Sequence, residues 1–297
     1  MLSTLDGLTD RAGAALQRLA SAEDVQQVET LYRTFDGFTE RIRYNHLPDA
    51  LLAAVEAIHV RHQPDEPRLL RLLTLHAMMH SLARLADGSV LPPPLVPMAV
   101  RTLTVLLRSL ETESDERYDV GDDRYVKDLQ VARLRLVPLG AQLLDTWRGY
   151  SRKPMLVGGG LAGAPRALLA LVRHGGNDPW HEFHTYDLAM RFFSVKGWEE
   201  SIRLCIPLLQ QQPDVKGIFA SAWWFDPALG RLTPNMAFPR DVSARFGAEF
   251  FPLPPDEESN ELAVLRSPER AALVASGRYT PRPYLMLLPR ATLLAHA

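Results

Sequence analysis

The sequence predicts an α+β protein in two parts, an N-terminal helical bundle over residues 1–112 and an α+β domain with a mostly antiparallel sheet over residues 127–297. Three observations lead there. Apolar residues recur at helical spacing through the first part with hardly a strand signal, an acid-rich break covers residues 113–126, and stretches of alternating or β-rich character follow, set between two well-marked helices. The 297 residues are 46% hydrophobic and 23% charged, enough to bury a large core and too apolar for disorder. A net charge of -2 lacks the cation excess that general binding to nucleic acid or anionic membrane relies on, so neither partner is expected.

Each helix of the bundle has its own signals. "SAEDVQQVETLYRTFDGFTERI" opens with Ser21 as a cap and Asp24 three residues on, a weakened capping box, and Val25, Val28, Leu31 and Phe35 recur at helical spacing. "DALLAAVEAIHVRH" and "EPRLLRLLTLHAMMHSLARLADG" continue the pattern, the latter stopping at Gly88. The prolines of "LPPPLVP" interrupt it before "MAVRTLTVLLRSL" resumes. From Glu111 to Asp123 seven of thirteen residues are acids, a composition that reads as a solvated linker; its spacing does not match a calcium-binding loop.

Beyond the linker, "VARLRLVPL", "AQLLDTW", "VKGIFASAWWF", "AEFFPL" and "PYLMLLPRATLLA" read as strands. "GWEESIRLCIPLLQQQ", bent at Pro207, and "SPERAALVAS" read as helices, the second marked by Ser267 as cap, Pro268 in its first turn and Gly277 past its end. The start of the chain carries acids where a signal peptide needs a basic and then an apolar run. No stretch reaches the roughly 18 unbroken apolar residues of a membrane span, so a cytoplasmic location is expected. The single cysteine, Cys205, reads as a core residue.

The densest chemical signal is "WHEFHTYD", residues 180–187. As a strand it puts Glu182, His184 and Tyr186 on one face, the wall of a cleft in which Glu182 or His184 acts as a general base. As a helix it would instead gather His181, His184 and Asp187 into a chelating set for iron or zinc. The density of aromatic residues and threonine favours the strand. "VGGGLAGAPR" carries Gly158, Gly160 and Gly163 as G-x-G-x-x-G, which is either a flexible loop or a phosphate cradle. His76 and His80, four apart, and the pair Glu56 and His59 offer metal ligands in the bundle, with core or interface histidines as the alternative. In "VKGIFASAWWFDPALG", Trp223 and Trp224 would face opposite sides of a strand, one in the core and one toward a pocket. Tyr279 could serve as a phenol acid or as an aromatic anchor.

From about Val131 onward the order of "RALLALVRH", "HEFHTYDL", "GWEESIRLCIPLL", "VKGIFASAWWF" and a last helix followed by a long strand resembles the GCN5-related N-acetyltransferase fold. In that family a splayed pair of strands admits the pantetheine arm, a helix N-terminus binds the coenzyme pyrophosphate, and a strand carboxylate or histidine often deprotonates the acceptor amine. By position the resemblance implies Glu182 and His184 as base candidates and Gly197 with Trp198 near the pyrophosphate. The family's Arg or Gln, then x-x-Gly-x-Gly or Ala, is absent from "MRFFSVKGWEE". The expected activity is therefore transfer of an acyl group from acetyl or acyl coenzyme A, or from a carrier protein, to a small amine. The alternatives are a metal-dependent oxidoreductase or hydrolase and a non-catalytic binding protein. Self-association or partner docking through the helical half is a further expectation.

Overall fold

The structure, a computed structural model, describes residues 2–36, 52–53, 56–57, 66–112, 114, 118–119, 121–146, 149–175 and 179–297. It is a mixed helix and sheet fold. Six strands are described, and contacts divide the chain into two compact units: Met1–Asp145 with Thr185–Met190, and Thr146–His184 with Arg191–Ala297.

The first unit holds α1 (Leu2–Leu19), α2 (Ala22–Asp36), α3 (Glu66–Ala86), α4 (Val96–Thr112), α5 (Asp123–Ala132) and a hairpin of β1 (Leu136–Pro138) with β2 (Leu143–Asp145). Helix α3 is its axis. Leu69, Leu70, Leu72, Leu73, Leu75, Met78 and Leu82 are all buried, so the helix is apolar on nearly every side, as one packed against several helices must be. The capping box at α2 forms as the sequence suggests: the Ser21 N–H donates to Asp24 Oδ2 at 2.6 Å and the Asp24 N–H donates to Ser21 Oγ at 3.2 Å. Arg68 of α3 donates to the same Asp24 oxygen at 2.6 Å, which ties the cap to the central helix. The "DALLAAVEAIHVRH" helix falls mostly outside the described residues, and His59 with it.

The second unit holds α6 (Arg152–Gly158), α7 (Gly160–Arg173), β3 (His181–His184), α8 (Val195–Gln211), β4 (Gly217–Ala222), α9 (Leu229–Leu232), α10 (Phe238–Arg245), β5 (Glu249–Pro252), α11 (Glu257–Val264), α12 (Pro268–Ala275), β6 (Tyr284–Pro289) and α13 (Arg290–Leu294). Strand β6 pairs antiparallel with β4 over six residue pairs and with β5 over four. Helices cover both faces of this sheet, which is why its central strands read as unbroken apolar runs instead of alternating. Phe219, Phe251, Leu285 and Leu287 meet Met155 of α6 and Ala167 and Ala170 of α7 on one face. On α8, Trp198, Ile202, Cys205, Ile206 and Leu209 are buried at helical spacing. Burial pushes the Cys205 thiol up, as for the core residue expected.

Several elements depart from the sequence reading. Residues 131–132 of "VARLRLVPL" finish α5, and only Leu136–Pro138 extend. The acidic stretch does not stay a linker to residue 126, because Asp122 caps α5 by accepting from the Arg124 N–H at 2.8 Å. The unit boundary falls instead after Asp145. "RALLALVRH" is helical, in α7. "VKGIFASAWWF" stops being a strand at Ala222, so Trp223 and Trp224 lie in a 3-10 turn and not on opposite faces of a sheet. "PYLMLLPRATLLA" turns helical at Arg290. The helix at Pro268–Ala275 has the expected limits, with the Arg270 N–H donating to Ser267 Oγ and Gly277 at φ +67 just beyond.

Two outcomes are expected. A Cβ on Gly217 would lie 2.4 Å from the Leu288 carbonyl oxygen and 2.5 Å from the Trp180 ring. Gly217→Ala should therefore cost about 2 kcal/mol or more in chemical denaturation. Burial opposes ionisation of Asp24, but its Ser21 and Arg68 partners outweigh it and hold the carboxyl below its ordinary 3.8. The stability from this ionised group is complete above that value and is lost as pH falls through the lower folded one. Asp24→Asn should thus destabilise by about 1 kcal/mol at pH 7, and thermal melts should show the gap closing at more acid pH.

Candidate functional site

The strand β3 decides what its side chains can do. Alternation puts Glu182 and His184 on the face that also carries Trp180 and Phe219, and sends His181 and Phe183 to the other. His184 Nε2 lies 3.5 Å from Glu182 Oε2, and the two side chains are only 7% and 16% exposed. On the opposite face His181 Nε2 bonds Gln212 Oε1 at 2.5 Å, while Phe183 packs edge-on against Trp198 with centroids 6.1 Å apart. Hence His181 and His184 cannot share an ion. The set His181, His184 and Asp187 is not formed, and Asp187 opens a 3-10 turn beyond the strand. Within the second unit, Glu182 and His184 remain the one close carboxylate and imidazole pair that β3 brings together on a single face.

Tyr186 departs from the expected trio. The strand ends at His184, and the Tyr186 hydroxyl donates to Asp128 Oδ1 at 2.6 Å inside the first unit, where the ring is buried. The strand ends two residues short of Tyr186, which removes it from the pair.

The pairing of β3 with β4 is brief. Their parallel register covers only His181↔Ile218 and Glu182↔Phe219, whereas β4 runs on to Ala222. Just before the register begins, the Lys216 N–H donates to the Pro179 carbonyl at 2.7 Å and fixes the strands at that end. The small residues Ala220, Ser221 and Ala222 line β4 where its register with β3 has ended.

Helix α8, which connects the two strands, starts two residues earlier than the sequence suggests. Ser194 caps it by accepting from the Gly197 N–H at 3.2 Å, and its carbonyl accepts from the Trp198 N–H at 2.8 Å. Both donors that the resemblance assigned to a pyrophosphate are thus already used. The Trp198 ring is buried and donates through Nε1 to Ser243 Oγ at 2.9 Å, a core role. Val195 and Lys196, in the first turn, are exposed instead. A serine ahead of an apolar-periodic run is the signal from which this start could have been read.

The remaining expected residues lie elsewhere. The glycine motif joins two helices, with Gly158 ending α6 and Gly160 opening α7 at φ +60, so no strand precedes it and no phosphate cradle forms. Gly158 is small because a Cβ there would lie 2.1 Å from the Pro252 carbonyl oxygen. Tyr279 packs with Trp223, Leu229 and Ala263, and its hydroxyl donates to Asp226 Oδ2 at 3.2 Å. Burial raises its pKa well above the ordinary tyrosine value, which suits an anchor better than an acid. In the first unit His76 and His80 touch through their Nε2 atoms at 3.1 Å, and Tyr32 stacks on His80. Burial lowers the His76 pKa.

Tyr186→Phe should cost about 1 to 3 kcal/mol, since it leaves the buried Asp128 carboxylate short of a donor, without altering any chemistry of Glu182 and His184; urea melts beside activity or ligand-binding measurements check this. Set against known proteins, the chain matches no family model, no curated protein and no solved structure.

Proposed function

We propose that this protein is an acyltransferase that moves an acyl group from coenzyme A or a carrier protein to a small amine. The observation that carries the reading is the parallel pair β3 and β4, which keeps register for two residue pairs and then ends while β4 continues. A helix, α8, connects the two strands, and the other described pairings are antiparallel. In the fold family that the sequence resembles, a parting pair of this kind admits the pantetheine arm between two strands whose peptide groups it bonds. The short side chains of Ala220, Ser221 and Ala222 suit such an occupant, and the exposed first turn of α8 suits its pyrophosphate, with Val195 and Lys196 presenting backbone N–H groups and the Lys196 ammonium beside them. Ser194 and Lys196 stand where the family has its small residues after Arg191, so fewer bare backbone N–H groups would face the pyrophosphate here.

The thioester, when bound, supplies the activated acyl carbon. Glu182 accepts the proton that the amine gives up as its nitrogen forms the new C–N bond, and His184, 3.5 Å away, can share it or return it to the departing sulfur. Their mostly buried position beside Trp180 and Phe219 keeps water from competing for the acyl group. No acid role is kept for Tyr279.

A second reading, hydrolysis or oxidation at a bound iron or zinc, is favoured by one observation: His184 Nε2 and Glu182 Oε2, two metal-ligating atoms, lie 3.5 Å apart on one face of β3. The two readings separate in one experiment. Acetyl coenzyme A should raise the melting temperature, by about 2.7 kcal/mol of apparent stability at a hundredfold its Kd, and treatment with a chelator should leave that shift intact. Glu182→Gln should keep the shift and lower kcat by roughly a hundredfold or more. No shift at millimolar coenzyme, together with stoichiometric metal that Glu182→Gln and His184→Ala both abolish, would replace the first reading with the second.

A further inference from the structure

Helix α7 is built the wrong way round for a helix that only completes a core. Toward the sheet it buries Ala167 and Ala170, each 1% exposed. Toward solvent it presents Leu161 at 97%, Val172 at 75%, Leu168 at 57% and Leu169 at 55%. These positions follow helical spacing and make one stripe, which Val157 of α6, 60% exposed, extends. Five of the nine large hydrophobic residues exposed among the described ones thus crowd into residues 157–172. Burial of apolar surface favours the opposite arrangement, so the stripe calls for a partner.

The charge around it says what kind. From residue 152 to 173 the sequence holds Arg152, Lys153, Arg166 and Arg173 and no acid. All four are exposed; Arg166, whose guanidinium lies 5.2 Å from the Phe251 ring centroid, and Arg173, 3.8 Å from Glu249, stand seven residues apart along one border of the stripe. The net charge of -2 does not govern this segment, because salt screens charges more than about 8 to 10 Å away. An aliphatic stripe bordered by cations is complementary to a layer that is hydrocarbon below and anionic above. Protein-binding hot spots favour tryptophan and tyrosine and are poor in leucine and valine, and this stripe has no aromatic residue. With 14 residues, α7 is too short to span, and no described helix is long and apolar enough to cross a membrane.

We infer that α6 and α7 dock the protein on an anionic lipid surface, with Leu161, Leu168, Leu169 and Val172 in the headgroup and acyl boundary and Arg152, Lys153 and Arg166 on the phosphates, while Arg173 is shared with Glu249. The arrangement does not depend on the acyl-transfer reading and concerns none of the residues assigned to it.

The full chain should sediment with vesicles of phosphatidylcholine mixed with phosphatidylglycerol, hardly at all with phosphatidylcholine alone, and less as salt is raised. The double variants Leu168→Ser with Val172→Ser, and Lys153→Glu with Arg166→Glu, should each weaken vesicle binding at least about tenfold, while circular dichroism stays that of the wild type. The idea is overturned if wild-type protein ignores phosphatidylglycerol vesicles, or if both folded variants bind as it does. It is equally overturned if light scattering finds a dimer that the serine variant splits, or if an acidic carrier protein binds this face and vesicles do not; in those cases a protein covers the stripe. Vesicle composition and salt dependence are read on the wild type alone, so a variant that fails to fold leaves the test in force.

Discussion

The second unit hangs on the six-pair ladder between β4 and β6. Both of these strands are buried along almost their whole length, so a slip of one residue would exchange two complete sets of packed side chains. Their register is therefore fixed, and with it the place where anything else can join. On one side β5 adds four pairs. On the other, the Trp180 ring just before β3 leaves room only for a hydrogen at Gly217, and β3 keeps register with β4 for two pairs. Glu182 lies in the second of those pairs, and His184 ends the strand two residues on.

The polar pair is costly in that position. Two ionisable groups on a face that also carries Trp180, Phe219 and Leu287 give up solvation, and a glutamate and a histidine 3.5 Å apart recover part of that loss from each other. The buried tyrosines show the contrast. Tyr186 and Tyr279 each give their hydroxyl to an aspartate and spend it on holding the fold, one in each unit.

A large part of this was legible in the sequence. Helical periodicity located α3 and α4, the Ser21 and Asp24 box located the start of α2, and the Ser267, Pro268 and Gly277 signals bounded α12. The density of aromatic residues and threonine gave β3 its extended form, and extension alone was enough to separate His181 from His184. The errors cluster where an apolar run changes backbone state without changing composition. "WWF" and "PRATLLA" look like continuing strand, and "RALLALVRH" carries leucines that fit a strand or a helix, because the local signals for a buried strand and a buried helix are the same. The glycine motif misled for a different reason: Gly158 is small to admit the backbone at Pro252, a contact almost a hundred residues away.

By itself the sequence determined the mixture of helices with a mostly antiparallel sheet, the helix caps and the extended form of residues 181–184, since these depend on periodicity, capping chemistry and side-chain alternation within a few residues. Only the tertiary structure decided that β3 keeps register with β4 for just two pairs, that Tyr186 leaves the pair for Asp128, that Trp198 is core, and that α7 turns its leucines outward. Each of those outcomes depends on which distant surface an element meets. Local propensity carries no information about that surface until the chain has packed.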